Sequence, residues 1–200
     1  CAVCEGLLSG GVLPILKHIP GHGRARVDSH RALPRVAASR AELSRHDFAP
    51  FRVLAAVPDT APWAMTAHIV YPAIDDAAPA TLSQRVIGEA VRGEIGFDGV
   101  LITDDISMGA LAGSLGERSR RALEAGCDLA LHCSGVLAEM VEVAEAAPPL
   151  TAAAQARLAR AEALRRRSRR DFDAEAAAAR FAGLIGETGV AAPDPTAARA

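Results

Sequence analysis

Aromatic residues are scarce in this chain: one tryptophan, one tyrosine and five phenylalanines among 200 residues. Half of the residues are hydrophobic, so the core must be built from aliphatic side chains and alanine. No unbroken apolar run approaches the roughly 18 residues that a membrane helix needs, which argues against a membrane partner. The net charge is only −2, so there is no electrostatic footprint for nucleic acid. The start also lacks the basic-then-apolar pattern of a secretory leader, which is weak evidence about location in a chain that does not open on Met. Cysteine is sparse as well: Cys1, Cys4, Cys127 and Cys133. The first pair has zinc-like CxxC spacing, but the second has five residues between its members and Cys127 leads into an apolar strand. Free buried thiols in a reducing compartment fit that pattern better than a metal site.

What is present is an alternation of helices and apolar strands. Residues 1–10 read as a helix ending at Gly10-Gly11, and Val12 to Lys17 as a strand. A long loop, 18–34, follows; connections of that length inside a compact domain are usually functional. Residues 36–57 are largely helical. Trp63 to Val70 reads as the next strand, and Leu82 to Ile95 as an amphipathic helix with Thr81 or Ser83 as its N-cap. Gly99 to Thr103 has the unbroken apolar character of a strand buried on both faces. A helix at 116–125, a strand at 128–132 and a helix at 136–147 complete the series. Beyond Thr151 alanine and arginine dominate, and Arg165-Arg166-Arg167 reads as a solvated face of an outer helix. Such alternation predicts parallel β/α units. The expected fold is α/β, a (β/α)8 barrel. A whole barrel takes roughly 250 residues, so this chain, opening at Cys1, reads as the later strands and helices of one.

The polar clusters sit where the strands end, which is where β/α folds place their chemistry. Lys17 and His18 close the first strand, with His22 just beyond. In the loop, Asp28 and His30 are two apart, so in extended chain they lie on one side. A carboxylate there fixes the imidazole tautomer and makes the far nitrogen a usable proton donor and acceptor. The alternative is that Asp28 caps a turn and His30 is polar surface. His68 ends the second strand. Asp104 and Asp105 end the third, as nucleophile, metal ligand or hydrogen-bond acceptor, or with Asp105 capping the following turn. A zinc site from His18, His22 and His30 is a rival, but no HxxxH or HExxH helix frames it.

Taken together, Lys17-His18-Ile19-Pro20-Gly21-His22-Gly23 with Asp28-Ser29-His30 resembles the KHFPGHG…DSH signature of the family 3 glycoside hydrolases, specifically the bacterial β-N-acetylhexosaminidases. Met65 to Asp75, Thr103-Asp104-Asp105-Ile106-Ser107-Met108 and Ala125-Gly126-Cys127-Asp128 resemble three further landmarks of that family, in order. The resemblance implies that residues 1–150 are the C-terminal portion of a catalytic barrel, 151–190 are outer helices and 191–200 a tail. It implies Asp104 as the nucleophile, Asp28 and His30 as the acid/base dyad, and Lys17, His18 and His68 as sugar-binding residues. The implied reaction is retaining release of terminal N-acetylglucosamine from peptidoglycan-derived GlcNAc–anhydromuramyl peptides, without metal or organic cofactor. A phosphorylase of the same family and a non-catalytic sugar-binding fragment stay open as alternatives.

Overall fold

The computed structural model describes residues 2–57 and 59–186; the expected tail at 191–200 lies outside them. Helix α1 (Ala2–Ser9) leads to strand β1 (Ile15–Ile19). A short helix α2 (Arg40–Glu42) runs on through a π-helical turn, Leu43–Asp47, into α3 (Ala49–Ala55). Strand β2 (Trp63–Thr66), a 3-10 turn (Ala80–Leu82) and a π-helix (Val86–Glu94) come next, then β3 (Val100–Asp105) and α4 (Leu115–Ala125). Strand β4 (Leu129–Leu131) is followed by α5 (Leu137–Ala146), α6 (Ala152–Ser168) and α7 (Ala174–Ile185).

The four strands are parallel and adjacent in chain order, β1-β2-β3-β4. A doubly wound sheet reverses its order at a switch point; strands added always on the same side are the pattern of a β/α barrel. The sheet is therefore a run of consecutive barrel units. Strand interiors and helix faces supply an aliphatic core including Ile19, Leu43, Ala64, Val91 and Leu101, with Phe48 and Phe97 among the few aromatics.

Local signals set the element ends. Ser83 caps the π-helical segment, its hydroxyl accepting from Val86 N–H at 3.0 Å; Thr81 is spent elsewhere. Helix α4 opens on a reciprocal capping box between Ser114 and Glu117 and closes at Gly126, φ +114°, a backbone conformation that side chains rarely tolerate. Such a cap contributes about 1 kcal/mol.

Three expectations shift. The first strand begins at Ile15 rather than Val12, because Pro14 interrupts the run, and continues through His18 to Ile19. The second ends at Thr66; Ala67 to Val70 are buried but have left the strand, with Val70 bridged to Arg35 instead. The third extends through both aspartates to Asp105. The Ala/Arg-rich helix α6 packs within the first compact unit, which ends at Arg169, burying Ala154, Ala161 and Leu164. Its arginines are not simply solvated: Arg157 reaches Asp128 at 2.9 Å, and Arg160 reaches Asp98 at 2.9 Å. The second unit contains α7, capped by Asp173. Cys4 and Cys127 are buried free thiols as expected, whereas Cys133 is exposed.

Candidate active site

Two irregularities in the sheet build the site. In β1, Lys17 pairs with Met65 and Ile19 with Thr66, so β1 has one residue more than β2, and that residue is His18. In β3, Ile102 pairs with Leu129 and Asp105 with Leu131, again one extra residue, in the Thr103–Asp104 step. Bulges of this kind turn a side chain out of the ladder. Both fall at the C-terminal ends of their strands. Across the end of the shorter β2, His18 Nε2 and Asp104 Oδ2 come within 3.3 Å.

The neighbouring aspartates are held in opposite ways. The Asp105 carboxylate accepts from Ser107 N–H at 3.0 Å, Ser107 hydroxyl at 2.5 Å and Cys133 N–H at 3.2 Å. It is occupied by the turn that follows the strand, which is not a helix. Asp104 accepts one N–H, from Asp105, at Oδ1 and 2.9 Å. Its other oxygen faces His18, whose pKa burial pulls below the ordinary imidazole value against the opposing pull of Asp104. His18 is thus neutral at pH 7, and the contact is one of dipole and charge rather than an ion pair. Of the pair, Asp104 carries the carboxylate oxygen open to a reacting atom.

The Asp28–His30 pair meets as the spacing suggested. Asp28 Oδ1 accepts from His30 Nδ1 at 2.9 Å and from the His30 backbone N–H at 3.0 Å. Those two bonds hold the Asp28 carboxyl below its usual range. They also place the ring proton on Nδ1 and leave Nε2 as the exchanging position. Both side chains are exposed, 74 % for His30 and 56 % for Asp28.

The loop carrying this dyad is docked onto the turn after Asp104. Gly109 N–H donates to His30 C=O at 3.1 Å, and Ala110 N–H to Ser29 C=O at 3.2 Å. A Cβ at residue 109 would sit 2.8 Å from the His30 oxygen, so only glycine permits this approach. Arg118 braces the same turn through the carbonyls of Ile106 and Gly113, at 2.8 and 3.0 Å. Neither residue carries a signal in the sequence by which its role would be found. Deeper in the loop, Tyr71 hydroxyl donates to Gly21 C=O, and His22 packs 5.2 Å from His18, ring to ring.

Lys17 is exposed in the middle of β1, not at its end as the sequence suggested. His68 departs from expectation. It is fully buried, with Nδ1 2.7 Å from Thr81 Oγ1 and Nε2 3.0 Å from Asp105 C=O. A ring with no exposed surface and both nitrogens engaged is not placed to touch a sugar. Among the described residues, no group of three or more His, Cys, Asp or Glu is arranged to hold a metal ion.

Residues 1–164 match the family model described as the glycosyl hydrolase family 3 N terminal domain. The chain belongs to glycosyl hydrolase family 3. Curated relatives include a beta-hexosaminidase of Alkalilimnicola ehrlichii, 47 % identical over 131 residues, covering 64 % of this chain and 37 % of that protein. A beta-hexosaminidase of Pseudomonas aeruginosa is 42 % identical over 135 residues, covering 66 % and 40 %. Among solved structures, native NagZ from Neisseria gonorrhoeae superposes with a TM-score of 0.73 at 34 % identity, covering 92 % of this chain and 54 % of that one. The family 3 β-N-acetylglucosaminidase of Paenibacillus sp. gives 0.72 at 36 %, covering 82 % and 33 %. This family 3 chain therefore spans about two fifths of the length of the curated relatives it matches.

Proposed function

We propose that this family 3 chain supplies the catalytic groups of a retaining exo-β-N-acetylglucosaminidase. The observation that carries the reading is the division between Asp104, a strand-end carboxylate with one open oxygen, and Asp28–His30, an oriented imidazole on a loop docked beside it. The relatives named beta-hexosaminidase support the substrate class. In the first step His30 Nε2–H protonates the glycosidic oxygen while Asp104 Oδ2 bonds to the anomeric carbon, and the aglycone leaves as an alcohol. In the second, neutral His30 takes a proton from water, the oxygen of which attacks the anomeric carbon and releases Asp104. Retention follows from the two inversions. Asp28 accepts from Nδ1–H throughout and stabilises the imidazolium that the second step forms. Lys17 and His18 are proposed to hold sugar hydroxyls, with no metal or organic cofactor. The natural substrate proposed is the GlcNAc–anhydromuramyl peptide of peptidoglycan turnover, met in the cytoplasm; no described helix is long and apolar enough to cross a membrane.

The test is release of p-nitrophenol from its β-N-acetylglucosaminide, run on this chain and on an eight-strand version completed with the preceding units of a relative. Turnover with the β-anomer of N-acetylglucosamine as first product, read by proton NMR, is expected. The α-anomer as first product, or no turnover in either form, defeats the reading.

A further inference from the structure

The buried polar chain behind the site has a defined direction. Asp105 C=O only accepts, so the 3.0 Å contact from His68 requires the proton on Nε2. In the neutral ring Nδ1 is then the acceptor, and Thr81 hydroxyl, 2.7 Å away, donates its one proton to it in preference to the Ala67 carbonyl at 3.2 Å. Thr81 Oγ1 in turn lies 2.9 Å from Thr66 Oγ1, whose hydroxyl donates. Thr66, His68 and Thr81 are all buried, and burial keeps His68 neutral by pulling its pKa below the ordinary imidazole value. The chain thus runs from the end of β2, through the 80–82 turn, to the last residue of β3, with each proton assigned.

We infer that His68 is a positioning residue that sets the Asp104 carboxylate for attack by fixing the Asp105 backbone. This rests on the reading of Asp104 as nucleophile. Asp105 N–H is the hydrogen bond that orients Asp104 Oδ1. Asp105 itself is held at two points: its carboxylate by Ser107 and Cys133, and its carbonyl by His68 from the β2 side at 3.0 Å and by Met108 N–H from its own turn at 3.2 Å. Without the imidazole N–H, that half-buried carbonyl keeps only the longer contact from its own turn, and nothing polar among the described residues ties it to the end of β2, so the strand end is free to shift. A displacement near 1 Å costs about 10²-fold in rate. Asp105 is thereby the frame and His68 the pin; neither touches substrate.

Two variants separate the roles of the ring nitrogens. His68→Gln keeps an N–H donor where Nε2 stands, whereas His68→Asn keeps a polar atom only near Nδ1. Assayed on the glycosaminide in the form that turns over, His68→Asn is expected to lose about 10²-fold in kcat and His68→Gln no more than about tenfold, with KM unchanged in both. A raised KM with kcat retained would make His68 a sugar contact and overturn the inference. So would equal kcat values for both variants and the parent, which describe a residue that only packs. A measurement independent of turnover is the nitrogen-15 spectrum of the histidine rings in this 200-residue chain at pH 7. The Nε2–H tautomer is expected for His68; the Nδ1–H tautomer would overturn the inference whatever the activity. Absence of turnover from parent and Asp104→Asn alike would instead count against the glycosidase reading, and the ring spectrum distinguishes that failure from this one.

Discussion

Asp104 and Asp128 are the same side chain at opposite ends of one sheet, and they are treated in opposite ways. Asp128, just before β4, is 4 % exposed at its side chain and fully engaged. It accepts from Leu101 N–H at 2.9 Å, Arg92 at 3.0 Å and Arg157 at 2.9 Å, tying β3, the π-helical segment and α6 together. Asp104, at the other end of β3, is left with one oxygen facing a neutral histidine. A saturated buried carboxylate binds a fold together and has no electrons to spare for chemistry. A carboxylate with an open oxygen at a strand's C-terminal end adds little to stability and is available to react. The division agrees with the general rule for β/α barrels, in which one face carries stability and the other catalysis.

Substitutions at the two ends should therefore separate activity from stability. The largest effect is expected from Asp104→Asn, a loss of about 10⁴-fold or more in kcat, with a melting temperature at or above that of the parent; a fall in melting temperature of several degrees would blur the two ends. His30→Ala is expected to lower kcat by about 10²- to 10⁴-fold with little change in KM, because it removes proton transfer from both steps. An activated aryl leaving group, which needs no protonation, should recover the first step alone, seen as a burst of phenolate. At the other end, Asp128→Ala should cost about 3 kcal/mol in a urea titration, since it strands two arginines and an N–H in a buried place. The folded fraction should keep kcat within a few-fold. The smallest effect sharpens the link within the site. Gly109→Ala should push the dyad loop off its turn and lower kcat by about tenfold while barely moving the melting temperature. Unchanged kcat in that variant would show that the docking of 28–30 on 109–110 is not used.

Much of this was legible beforehand because strand ends and motif residues are local features. The apolar runs at 12–17, 63–70, 99–103 and 128–132 announced four strands, and the spacing of Asp28 and His30 announced their contact. What escaped depends on tertiary partners. Ala67 to Val70 is as apolar as a strand because it is buried, yet its backbone pairs with Ile19 and Pro34 outside the ladder. The π-helical segments at 43–47 and 86–94 bury the same faces as an α-helix would, so their periodicity could not distinguish them. The resemblance groups His68 with Lys17 and His18, but which way its ring faces is decided by Thr81 and by a carbonyl 37 positions away. The part of Arg157 and Arg160 in tying α6 to the sheet was not legible because their partners, Asp128 and Asp98, lie far back in the chain. The two bulges that bring His18 and Asp104 together leave no mark in composition.

The most direct test is to trap the intermediate. The eight-strand form would be incubated with an activated fluorosugar analogue of N-acetylglucosamine whose glycosyl-enzyme hydrolyses slowly, then digested and analysed by mass spectrometry. One sugar mass per chain, on the peptide holding residues 100–108 and localised to Asp104 by fragmentation, is the predicted result. A label on Asp105 or Asp28, or an unlabelled protein that still hydrolyses the glycosaminide, would contradict the account.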